Sequence, residues 1–187
     1  MFGWTMIGAV TAAAGYAYVQ GAQSEVEYVR SSVDQRSYLV QKGGTASRAA
    51  DALGKISMDI EALIRHMQKK FPDDARVVRM AARFNPSAVS EGTSKSGYTS
   101  YSVNKGESVV LCLRQPDDSF ADPNVVMYVA LHELGHLATK EIGHPPPFWD
   151  AFRFILREAV SIGIYTKTDY AKDPKPFCGI TVDSSVI

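Results

Sequence analysis

Cysteine is nearly absent, and neither sign of charge dominates. Cys112 and Cys178 are the sole cysteines, too few for a cysteine-held structural metal or a disulfide framework, and enough for one bridge at most. Two free thiols in a reducing compartment are therefore expected. Twenty Lys+Arg against twenty Asp+Glu give a formal net charge of zero, so no global field draws the chain onto nucleic acid or an anionic surface. No nucleic-acid partner is expected. Charged residues make up 21% and hydrophobic residues 45%, which excludes disordered and collagen-like classes. The 187 residues suffice for one compact domain with a modest core and an appendage.

Charge is missing altogether from Phe2 to Val19, the run FGWTMIGAVTAAAGYAYV. As a helix it is about 27 Å long, close to the thickness of a bilayer's hydrocarbon core. No basic residue precedes it, as a cleaved signal peptide would require. We expect a transmembrane anchor at 2–19, with a helix buried in a larger assembly as the alternative. Ala9, Ala13 and Ala17 form a small-residue stripe that would let another helix approach, or reflect only the commonness of alanine in such helices. Arg30, Arg36 and Lys42 follow the run, which places the main domain on the cytoplasmic side. Residues 20–44 are polar and mixed and end in QKGGT, read as a stalk and hinge. The remaining chain, 45–187, is the expected globular domain.

Within it, Ala49, Ala50, Leu53, Ile56, Ile60, Leu63, Ile64 and Met67 recur at three- and four-residue intervals, one face of an amphipathic helix that Pro72 ends. His66, among Arg65, Lys69 and Lys70, is read as solvated or facing the helix dipole rather than as a ligand. Tyr98 to Val103, the turn Asn104-Lys105-Gly106, and Glu107 to Arg114 read as a β-hairpin. The second strand is apolar enough for both faces to be covered, which would make Cys112 a small buried hydrophobe.

Histidine is scarce, four in the chain, yet three fall within thirteen positions. His132-Glu133-Leu134-Gly135-His136 stands in a helix-compatible run without proline, and residues four apart share a helix face. Both imidazoles can therefore meet one ion. His144, on the proline-stiffened loop GHPPPFW, is the candidate third ligand, leaving the fourth tetrahedral position to water as in catalytic zinc sites. Glu133 is placed to act on that water as general base, giving peptide-bond hydrolysis. The apolar neighbours Val125, Val126, Tyr128, Val129, Leu131 and Leu137 make the helix a buried one. Phe148 and Trp149 open a covering helix and are read as core anchors.

HELGH, the later His144 and the aromatic Phe148 together resemble the WLM and SprT-like minimal zinc metallopeptidases of the zincin fold. YTSYSVNKGE, VALHELGHLATKEIGH, FWDAFRFILREAVSIGIY and the late CGI are similar to a branch encoded by large double-stranded DNA viruses. The resemblance implies an α+β domain: a helix, a small sheet with a hairpin, the HExxH helix and a supporting helix. It also implies a substrate peptide along the exposed sheet edge, Zn2+ held by His132, His136 and His144, and Glu133 as catalytic base. The cellular DNA-repair members carry basic or partner-binding extensions that this chain lacks. No methionine follows in a turn as in metzincins. Tyr165 and Tyr170 could stabilise an oxyanion but are read as packing residues.

Two functions of different class are in view: a membrane-anchored zinc peptidase acting on a protein or peptide substrate, or a structural component. The second would be a minor capsid or membrane-associated virion part, contacting neighbouring capsid or assembly proteins through a silent zincin-like domain.

Overall fold

The computed structural model describes residues 25–93 and 100–187. The apolar run at 2–19, the expected anchor, lies outside the described residues. Among the described residues, no helix is long and apolar enough to cross a membrane.

The first described element corrects the expected stalk. β1 (Val26–Arg30) and β2 (Ser37–Gln41) pair antiparallel, so part of the stretch read as linker belongs to the sheet. Tyr38 and Val40 are buried at 1% and 0% exposure, the alternate positions of a strand with one covered face. β1 is an edge strand with no buried residue, so it shows little of this alternation. Its connection to β2 is fixed by side chains: the Tyr38 hydroxyl and the Arg36 guanidinium both donate to Asp34, and Arg36 continues to Glu61.

α1 (Ala46–Lys70) comes next and buries the stripe predicted for it, ending just before Pro72. His66 is not free in solvent. Its Nε2 lies 2.8 Å from Glu158 Oε2, a carboxylate that also accepts from Lys70. α2 (Ala75–Arg83) starts at Asp74, whose side chain accepts from the Arg76 N–H, a cap that satisfies one of the helix's orphan donors. β3 (Val89–Glu91), β4 (Ser100–Val103) and β5 (Ser108–Leu111) complete a five-stranded sheet of order β1-β2-β3-β5-β4. The predicted hairpin is β4–β5. β5 alternates, with Val109 and Leu111 buried and Val110 only partly so, rather than being covered on both faces. β4 is the second edge of the sheet.

α3 (Pro123–Ala138) and α4 (Pro146–Ser161) pack against each other beside this sheet. The Asp122 side chain caps α3, accepting from the Asn124 and Val125 N–H groups. A small hairpin, β6 (Lys175–Phe177) and β7 (Ile180–Val182), closes the chain. Here a second expectation fails. Cys112 and Cys178 are joined in a disulfide, with Cα atoms 6.3 Å apart, so neither is a free thiol. The partners stand 66 positions apart and meet only because the β6–β7 turn folds back onto the segment after β5. No local pattern records that.

Candidate metal centre

α3 is buried on most of its circumference, as its apolar residues require, and its remaining side presents His132 and His136. Its last carbonyls point toward cations: Arg83 Nη1 donates to Leu137 O at 2.9 Å and Thr139 O at 2.8 Å, and Arg79 Nε to Ala138 O at 2.7 Å. Positive groups at a helix C-terminus satisfy orphan acceptors and complement the dipole. The chain then turns through residues 139–145 and re-enters helix at Pro146, bringing His144 back over α3.

The three imidazoles converge. His132 Nε2 and His144 Nε2 are 2.9 Å apart, and one nitrogen from each of His132, His136 and His144 falls within 4.8 Å of the others. Phe148 forms the floor beneath all three. Its ring centroid lies 4.8, 4.4 and 4.6 Å from those of His132, His136 and His144. Gly135 makes room for it, since a Cβ there would meet Phe148 Cε2 at 3.1 Å. Trp149 packs beside His144 at 5.6 Å. Both aromatics thus support the imidazoles, Phe148 from full burial.

Burial, then the neighbouring imidazoles, pushes His132 down to about 3; burial and the charges of His144 and Lys105 push His136 down to about 4. Both rings are therefore neutral at physiological pH, with lone pairs available. Neutral nitrogens converging on one point suit a borderline divalent ion such as zinc, so this donor set fits the metal. Glu133 stands beside the cluster without joining it. It is buried at 6% exposure, which raises its pKa, an effect that the neighbouring Ser102 of β4 opposes. A cavity of about 520 Å³ opens over the cluster, lined by the three histidines, Glu133 and residues of β4 and its turn.

Four sequence-selected residues, His132, Glu133, His136 and His144, thus line one cavity. Tyr165 and Tyr170 do not. They pack around Tyr128, at centroid distances of 5.9 and 5.2 Å, inside the core. Seven further residues line it, among them Ser102 and Lys105, which the sequence did not single out. Both lie in the YTSYSVNKGE string, but a residue's partner across an edge strand leaves no periodic signal.

The WLM domain model matches residues 32–175. The chain belongs to the WLM domain family. The chain is 34% identical over 170 residues to a protein of Acanthamoeba polyphaga mimivirus, covering 88% of this chain and 86% of that one. A protein of Invertebrate iridescent virus 6 is 31% identical over 96 residues, half of each chain, and one of Invertebrate iridescent virus 3 is 36% identical over 80 residues, 42% of this chain and 45% of that one. In fold, the WLM domain is similar to the crystal structure of Wss1 from Saccharomyces cerevisiae, with a TM-score of 0.50 at 18% identity over 66% of this chain and 86% of that one.

Proposed function

We propose that this WLM domain is a zinc-dependent peptidase, with His132, His136 and His144 as ligands and Glu133 as general base. The observation that carries the proposal is the convergence of three imidazoles, two of them held neutral by burial, beside a buried carboxylate in an open cavity. Zinc held there supplies Lewis acidity toward a peptide carbonyl and acidifies water. Glu133 then accepts a proton from the attacking water and returns it to the leaving amine. Its partly desolvated carboxyl favours both transfers, because a base with a raised pKa holds the proton long enough to pass it on. Phe148 and Gly135 keep the imidazoles in register. β4 offers an edge along which a substrate peptide can lie.

The test is a pair of measurements. Purified chain should hold about one zinc, and Glu133→Gln should keep the metal while losing cleavage of an unfolded protein substrate. Cleavage that persists in Glu133→Gln contradicts the proposal, as does a chain that binds no zinc.

A second reading has its own support. The similar curated proteins come from mimivirus and iridescent viruses. On this reading the domain is a structural virion component whose site is silent, contacting capsid or assembly proteins. Zinc-loaded wild-type chain that cleaves nothing would favour it. The apolar run at 2–19 serves either reading as a membrane tether. The Cys112–Cys178 bridge argues that the folded domain meets an oxidising environment, which removes the thiol argument for a cytoplasmic domain.

A further inference from the structure

The geometry points to Lys105 as a positioning residue: by donating to the Thr139 and Glu141 carbonyls it holds the loop that sets His144 over His132 and His136. The inference rests on the three-histidine reading of the metal centre. The loop has little packing of its own. Ile142 is 92% exposed, a Cβ on Gly143 would meet nothing within 4 Å, and His144 itself is exposed. At the end of the loop, Phe148, Trp149 and the His132 ring contact His144. Between α3 and His144, the tie is polar. Lys105 Nζ reaches Thr139 O at 3.3 Å and also donates to Glu141 O.

The ammonium is delivered from a rigid base. Asn104, Lys105 and Gly106 all have positive φ, 44°, 58° and 115°, and a Cβ on Gly106 would meet Arg83 O at 2.5 Å. The β4–β5 turn is thus pressed onto the end of α2, and Lys105 extends from it across the cavity rim. Arg79 and Arg83 differ in what they hold. They bond the carbonyls of residues 137, 138 and 139, the end of α3, whereas Lys105 alone of these three cations reaches Glu141. The same hairpin carries Ser102 into the cavity that Glu133 lines.

The experiment is a double-mutant cycle on zinc affinity, read by chelator competition. Lys105→Met should raise the zinc dissociation constant on the order of tenfold, as loss of outer-shell support does elsewhere, and Lys105→Arg should recover part of it. In a His144→Ala background, Lys105→Met should change nothing further, an outcome that general destabilisation would not give. Arg79→Ala serves as control, lowering the melting temperature without this effect on zinc. Equal weakening in both backgrounds, or no weakening in either, overturns the role. Should the wild-type chain take up no zinc, the metal reading fails and amide exchange at residues 140–144 decides: faster exchange in Lys105→Met supports the clamp, and unchanged exchange overturns it.

Discussion

Reducing the Cys112–Cys178 bridge should destabilise the fold strongly while leaving the metal cleft intact. The bridge closes 66 residues of sequence, and the loop-entropy relation gives about 4 kcal/mol for a loop of that length. The full value is an upper bound, because residual structure in the reduced unfolded chain already restricts part of that loop. Gln115 accepts from the Cys178 N–H at 2.8 Å and donates to Pro176 O at 2.9 Å, and the Ser185 hydroxyl joins Thr168 O to the Tyr170 N–H. These bonds keep the C-terminal hairpin in place in the reduced native state, so the expected loss of about 2–4 kcal/mol arises in the unfolded chain. Urea unfolding with and without a phosphine reductant measures it, and Cys112→Ser with Cys178→Ser should reproduce the reduced midpoint. Neither cysteine lines the cavity over the histidines, so zinc affinity should not move. Two reactive thiols in the denatured, unreduced chain, or coincident unfolding curves, would refute the reasoning.

Gly106→Ala should cost about 2–3 kcal/mol, since the residue combines a φ of 115° with a 2.5 Å approach to Arg83 O; a change within about 0.5 kcal/mol would show the turn to be free. Phe148→Ala should cost about 3–5 kcal/mol and weaken zinc binding as well, whereas a core residue unconnected with the imidazoles would lower only stability. Asp74 supplies a pH test. The Arg76 guanidinium beside it, with the Arg76 N–H, holds its carboxyl down to about 2 from 3.8, so its contribution is complete above about pH 4 and disappears as pH falls through about 2. Asp74→Asn should therefore lose about 1–2 kcal/mol at neutral pH, and its deficit relative to wild type should vanish in acid unfolding near pH 2; a deficit independent of pH would contradict the assignment.

α1, α3 and α4 were legible because each carries a local, one-dimensional signature, whereas α2 was not read from the sequence. The stripe from Ala46 to Met67 and the stop at Pro72 define α1, and the HELGH spacing puts two imidazoles on one face of α3. His144 was legible for a different reason, the stiffness of GHPPPFW. What the sequence concealed is what depends on distant partners. β1 is an edge strand with no buried residue, so its pairing with β2 looks like a stalk. Cys112 meets Cys178 only through the fold of the C-terminal hairpin. Ser102 and Lys105 sit on an edge strand and a turn, where polar residues are the norm, and their engagement with Glu133 and the 139–144 loop is visible only in three dimensions.

The central claim is that His132, His136 and His144 hold one zinc together. X-ray absorption at the zinc edge of the loaded chain tests it most directly. Three imidazole nitrogens at about 2.0–2.1 Å with one further light ligand is the predicted shell, falling to two imidazoles in His144→Ala. A wild-type shell with two imidazoles or fewer, or one unchanged by His144→Ala, would contradict the account.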